Sequence, residues 1–368
     1  MMQITSVIGI YGLTLVAALL AMTPALIWPA DGRSLSRRLL PFFISIAVIA
    51  GQLGFGYNRL AGTVSTERTD VAMRLVQPMV LEHADWDNAD PVALIDRLLM
   101  LSEMRMDPAD QGLADITHLV WPESSLPFFL SSYPDALARI ARMLPETTTL
   151  LAGIPRQQYA LDPSQSSGPP FNALMAINTN GEVIASYDKS HLVPFGEFLP
   201  FSQFFSKLGI KQFVPGAEGW AHGDARRRLM SLPNTPAFLA LICYEILFSG
   251  DLGDTTGAQF ILNITNDAWF DGSIGPAQHA HHARVRAVEE GLSLVRAANT
   301  GLTFATDPLG RVTGQIEPLQ TAVLDVRPHQ RLAGTVFSQV RHWPLLIALL
   351  AGLLISLVVS RAGRRRAV

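Results

Sequence analysis

Apolar and polar positions divide this chain into two patterns. The first is long and uninterrupted. Residues 1–30, 39–58 and 344–360 carry no charged side chain, and each run, at about 17–25 residues of helix, is long enough to cross ~30 Å of hydrocarbon. The second pattern fills residues 62–341. There, short β-branched apolar runs alternate with stretches of helical spacing. Strands are predicted at 71–77, 116–121, 150–154, 171–177, 182–187, 237–243, 259–264, 302–307 and 312–314. Helices are predicted at 90–106, 133–144 and 275–292, the first opened by Asp90-Pro91 as cap and first-turn residue. Asn180-Gly181 and Pro308-Leu309-Gly310 read as hairpin turns. No internal repeat stands out, and 162–170 is a Ser/Gly/Pro-rich loop. Such alternation with hairpins implies an α/β domain, a mixed sheet covered by helices.

Composition agrees with a chain partly in lipid. Its 368 residues are 49% hydrophobic and 16% charged, with a mean hydropathy of +0.25, whereas soluble domains carry about 25% charged residues. The first run lacks the basic start of a signal peptide. Trp343 and Arg361 flank the last run, as interfacial residues do. The expected organisation is two transmembrane helices within 1–58, joined by a basic loop at about 29–38. An extramembrane domain at 62–341, a third transmembrane helix at 343–360 and a basic tail at 361–368 follow. Arg33, Arg37 and Arg38 in the loop, and Arg361, Arg364, Arg365 and Arg366 in the tail, place both clusters on the cytoplasmic side. Residues 62–341 then face the opposite side, the periplasm or cell exterior. A net charge of -3 offers no basic field for nucleic acid.

Candidate chemistry collects where apolar strands end. The chain has one cysteine, Cys243, at the end of 237–243. A lone thiol outside the cytoplasm forms no internal disulfide and is unusual unless used. Leu119-Val120-Trp121-Pro122-Glu123-Ser124 offers Glu123 as a general base for that thiol. Tyr187-Asp188-Lys189-Ser190-His191 offers Lys189 as a fixed ammonium that, with a backbone N–H, stabilises an oxyanion. Glu197, Tyr244 and Glu245 sit at neighbouring strand ends as supporting candidates. Phe195 and Trp269 are loop aromatics suited to an apolar mouth. His279, His281 and His282 have the wrong spacing to converge on a metal; His279 is expected to line the site, and neither metal nor cofactor is expected. Asn263, Asn266 and Asp267 are expected to support strand-end loops, and 226–228 to form a solvated basic turn.

Glu, Lys and Cys in this order and context resemble the nitrilase superfamily of carbon–nitrogen hydrolases. Within it, the wording is similar to the apolipoprotein N-acyltransferase family. The likeness runs through Trp121-Pro122-Glu123-Ser124, the segment 187–197, Cys243-Tyr244-Glu245 and Thr265-Asn266-Asp267-Ala268-Trp269-Phe270. It continues through Gly275-Pro276-Ala277-Gln278-His279, Arg286-Ala287-Val288-Glu289 and Ala298-Asn299-Thr300-Gly301. Gln77 and a lid-like Trp86 fit the same family. The resemblance implies a nitrilase-like α-β-β-α sandwich and a Glu123–Lys189–Cys243 triad, with Glu197 and Glu245 required beside it. It implies a monomer of the bacterial inner membrane that moves an acyl chain from a phospholipid, through a Cys243 thioester, to the α-amino group of a diacylglyceryl-cysteine lipoprotein. A membrane-tethered amidase and a non-catalytic lipid- or lipoprotein-binding fragment are the alternatives. The family carries more spanning helices ahead of the catalytic domain. The chain is therefore expected to be shortened at its N-terminal membrane region, as a fragment, a misassigned start or a short form.

Overall fold

The computed structural model describes residues 1–27, 34–80, 90–106, 110–157, 168–201, 219–226, 228–270 and 272–366. The chain forms two compact units, one of 1–64, 288–291 and 332–368, the other of 65–287 and 292–331.

The larger unit holds two six-stranded mixed sheets. The first is built from β1 (Met73–Gln77), β2 (His118–Trp121), β3 (Thr149–Arg156), β4 (Phe171–Ile177), β5 (Val183–Asp188) and the late strand β12 (Ala322–Val326), in the order β12-β1-β2-β3-β4-β5. The second is built from β6 (Met230–Leu232), β7 (Thr235–Ile242), β8 (Phe260–Thr265), β9 (Ser293–Ala298), β10 (Thr303–Thr306) and β11 (Val312–Ile316), in the order β11-β10-β9-β8-β7-β6. Strands β1, β2 and β3 are parallel, and β4 and β5 then return antiparallel. Strands β7, β8 and β9 are parallel, with β10 and β11 returning in the same way. Each sheet is closed at its other edge by one antiparallel strand, β12 on β1 and β6 on β7. The unit thus consists of two halves of one pairing pattern, a repeat that the sequence does not display.

Alternation along the strands sorts the core. In β7, Phe238, Ala240 and Ile242 pack with Met73, Leu75, Val120 and Leu151 between the sheets. Leu239 and Leu241 point to the other face, where they meet Ala280, Ala283 and Ala287 of the helix Gly275–Glu290. Their spacing of three and four residues gives that helix a single small-residue face. On the outer face of the first sheet, Leu119 and Trp121 pack against Leu94, Ile95, Leu98 and Ile140 from the helices Pro91–Ser102 and Pro134–Met143. Helix, sheet, sheet and helix therefore form four layers, as expected. Asp90 caps its helix by accepting from the Val92 N–H at 2.9 Å.

Most strands match expectation to within two residues. Strands β6, β9 and β12 were not expected. Strand β9 is central and fully buried. The predicted helix 275–292 runs through the turn before it, right up to its first residue; the helix ends at Glu290 and Gly291 turns with φ +67°.

In the smaller unit, the helices span Thr5–Met22, Leu35–Gly62 and Trp343–Arg366. Three segments, Met2–Leu26, Leu35–Gly62 and Trp343–Arg361, are long and apolar enough to cross a membrane. The first is not continuous, contrary to expectation. Gly9 adopts φ 66°, ψ 175°, which breaks the helix, and the Ile10 N–H freed there donates to Glu289 Oε1 at 2.7 Å. Phe337 lies where a Cβ on residue 9 would be, so glycine satisfies both the backbone angle and the packing.

Candidate active site

In the larger unit, the reactive side chains follow strand ends, where open α/β sheets carry their ligands. Glu123 lies two residues beyond β2. Lys189 directly follows β5, and Cys243 directly follows β7. All three line one cavity of about 580 Å³ with Glu197, Tyr244, Trp269 and His279. Gly153 of β3 makes room for Glu123, since a Cβ there would stand 2.6 Å from the Glu123 Cα.

Lys189 is 1% exposed and held between two carboxylates. Its Nζ donates to Glu123 Oε1 at 3.1 Å and to Glu197 Oε1 at 2.8 Å. Asn172 Nδ2 donates to the same two oxygens at 2.8 and 3.0 Å. The remaining oxygens accept from backbone, Glu123 Oε2 from the Asn266 N–H at 2.7 Å and Glu197 Oε2 from the Val193 N–H at 2.8 Å. Burial alone would lower the Lys189 ammonium, but Glu123 and Glu197 hold it well above the ordinary lysine range. Burial and the Glu123 carboxylate push the Cys243 thiol far up, with Lys189 and the Thr265 hydroxyl opposing. The resting pair is therefore a neutral thiol beside a charged ammonium. Attack by sulfur requires the proton to leave as the bond forms, and a carboxylate in the same cavity can take it.

Glu245 does different work. It is fully buried and accepts the Tyr187 hydroxyl at 2.9 Å, the Ser190 N–H and hydroxyl at 2.8 and 2.9 Å, the His191 N–H at 3.1 Å and the Ile242 N–H at 2.8 Å. It joins the segments carrying Lys189 and Cys243. Cys243 itself has φ 51°, the left-handed region, uncommon for a residue with a Cβ. It opens a short 3₁₀ turn, Cys243–Leu247, immediately after β7.

The structure brings Glu123, Lys189, Cys243, Glu197, Tyr244, Trp269 and His279 to one cavity. Phe195 is 38% exposed and is not among the residues lining it. Trp86 lies outside the described residues. Asn172 and Arg296 form part of the site's buried support without having been assigned to it, and Asp267, expected to support a strand-end loop, joins them. Arg296 Nη2 donates to Asp267 Oδ2 at 2.8 Å, and Arg296 also reaches Asn263. Burial alone would raise the Asp267 carboxyl; Arg296 and His279 outweigh it and hold it at about 2. The available signal was a polar residue inside an apolar run, Asn172 in β4 and Arg296 in β9. Among the described residues, no group of three His, Cys, Asp or Glu side chains is arranged to hold a metal ion.

Residues 75–328 match the carbon–nitrogen hydrolase family. Apolipoprotein N-acyltransferase from Rhodopseudomonas palustris is 38% identical over 360 residues, covering 98% of this chain and 66% of that protein. The Bradyrhizobium diazoefficiens protein of the same name is 36% identical over 370 residues, covering 99% and 66%. The Brucella melitensis one is 38% identical over 330 residues, covering 88% and 60%. The chain thus spans just under two thirds of the length of these relatives. Among solved structures, a variant of the Nesterenkonia AN1 amidase of the nitrilase superfamily superposes with a TM-score of 0.50 at 17% identity, covering 77% of this chain and 99% of that one.

Proposed function

The chain belongs to the carbon–nitrogen hydrolase family, and from that premise we propose that it is a membrane-bound N-acyltransferase working through a Cys243 thioester. The observation that carries the reading is the shared cavity of Cys243, Glu123 and Lys189, in a chain whose relatives bear the name apolipoprotein N-acyltransferase. In the first half-reaction, Cys243 Sγ attacks a phospholipid ester carbonyl while its proton passes to Glu123. The Lys189 ammonium and a backbone N–H hold the oxyanion. The tetrahedral intermediate collapses with cleavage of the bond to the glycerol oxygen. That oxygen takes the proton from Glu123 and leaves as part of a lysophospholipid. In the second half, the α-amino group of a diacylglyceryl-cysteine lipoprotein attacks the thioester and gives a proton to Glu123. The carbon–sulfur bond breaks and the thiolate recovers that proton.

Two features favour a lipid donor over a small amide. Trp269, Phe270 and Ile274 are exposed apolar side chains, the first two at the cavity itself, and exposed apolar patches mark lipid or partner surfaces. Three segments can cross a membrane. The positions of the basic clusters favour an inner-membrane protein with its catalytic unit on the periplasmic side. Intact-mass analysis after incubation with phospholipid vesicles tests the reading. A fatty-acyl adduct that is absent from Cys243→Ala is expected. Ammonia release from amides with no lipid adduct would identify an amidase instead, and neither activity would leave only a lipid-binding role.

A further inference from the structure

His279 is a cavity-lining residue whose ring is already engaged on both sides. It is 7% exposed. Its Nε2 lies 3.0 Å from the Cys243 carbonyl oxygen, an acceptor, so this nitrogen presents an N–H. Its Nδ1 lies 2.8 Å from Asp267 Oδ1 and 3.3 Å from Arg296 Nη2, against the ion pair that those two side chains make. Asp267 is in turn braced by the Thr265 hydroxyl at 3.2 Å and closely covered by Gly301, where any Cβ would collide with its carboxylate. The hydrogen bond at one imidazole nitrogen sets what the other can do. With both nitrogens occupied, the ring has no polar atom to spare for a substrate.

The carbonyl it holds belongs to a residue in the left-handed region. Left-handed backbone angles on a residue with a Cβ are unfavourable and persist only where the surroundings enforce them. On the amino side of Cys243, the Ile242 N–H is fixed by Glu245 Oε2 at 2.8 Å. On the carboxyl side, the His279 bond is the matching restraint. A peptide group is planar, so pinning the Cys243 carbonyl also fixes the direction of the Tyr244 N–H in the same plane.

We propose that His279, oriented by Asp267, is a positioning residue that clamps the Cys243–Tyr244 peptide and thereby keeps the nucleophile's turn in its reactive geometry. This rests on Cys243 being the acylated residue. It predicts that an Nε2 donor is what the Cys243 carbonyl requires. A glutamine side chain places an N–H near the Nε2 position; an asparagine reaches only the Nδ1 position and keeps the Asp267 contact.

The test measures the rate of Cys243 acylation by mass spectrometry in His279→Gln and His279→Asn. Each is assayed with phospholipid vesicles and, separately, with p-nitrophenyl butyrate, and alkylation by iodoacetamide is followed in parallel. Misplacing reacting groups by an ångström costs about 10²-fold. His279→Asn should therefore lose about 10²-fold in kcat with KM nearly unchanged, and His279→Gln should stay within about tenfold of the parent. Alkylation builds no oxyanion and should change by less than about threefold in both variants. Acylation of His279→Asn at the parent rate would overturn the proposal, as would a glutamine variant no faster than the asparagine one. If the parent protein is acylated by the nitrophenyl ester but not by phospholipid, the lipid-donor reading falls, and the Gln-against-Asn comparison still decides the role of His279.

Discussion

Two acidic residues occupy matching places in the two halves of the larger unit, with inverted surroundings. Glu123 lies two residues beyond β2, and Asp267 two residues beyond β8. Each of these strands is the middle one of its parallel trio. Around Glu123, two carboxylates share the single cation Lys189. Around Asp267, one carboxylate is shared by the Arg296 guanidinium and the His279 ring. The first cluster has a carboxylate charge in excess and faces the cavity. The second is matched and sealed, with Asp267 and Arg296 fully buried. The same position thus faces the cavity in one half and is locked into a buried ion pair in the other. What differs is whether the charges balance.

Removing one charge from each cluster should break it in its own way. Asp267→Asn leaves the buried Arg296 without its counter-charge and should cost about 3–5 kcal/mol in denaturant unfolding of the larger unit. Lys189→Met should instead be read in rate. Loss of an oxyanion donor costs about 10²–10³ in kcat, roughly 3–4 kcal/mol, and acyl-enzyme formation should slow by that factor in single-turnover assays.

Acid should separate the contributions further. His118 starts β2 and touches the Thr235 hydroxyl of the other sheet at 3.0 Å. Burial lowers it to about 4. As pH falls, the unfolded chain takes up this proton first, so the stability His118 contributes is full above about 6.5 and lost between there and about 4, on the order of 3 kcal/mol. His118→Gln should flatten that part of the pH–stability curve. Asp267 acts lower: its contribution is present above about pH 4 and lost as pH falls toward about 2. The smallest effect calibrates the rest. Arg68 pairs with Asp70 at 2.7 Å, but Asp70 is half-exposed, and Arg68→Ala should change stability by less than about 1 kcal/mol.

This contrast also explains what could be read from the residues alone. Glu123, Lys189 and Cys243 sit at the ends of recognisable apolar strands in compact motifs, so their shared cavity was foreseeable. Strand alternation and helical spacing gave a mixed sheet covered by helices, and the four layers came only from the family resemblance. The second cluster was hidden because β9 merges with the preceding helix in any count of apolar positions, and Arg296 looks out of place until that strand is recognised. Asn172 was hidden because its partners lie 49 and 25 residues away in the chain. The duplicated half was hidden because backbone pairing repeats where side chains do not. Gly9 was hidden because a glycine in an apolar run is common, and only Phe337 and Glu289 make it a break.

Glu245 sets the order in which the site can come apart. Its oxygens collect donors from the end of β5, from the turn after Lys189 and from the last residue of β7. The lysine segment cannot slide relative to the cysteine segment by giving up one bond at a time, because each displacement strains several bonds to the same buried carboxylate. Ammonium and sulfur are therefore gained or lost together. Partial opening of the unit should yield a protein that has lost its chemistry outright, with no intermediate of reduced activity, and hydrogen exchange at Ser190, His191 and Ile242 should report that event as a single cooperative step.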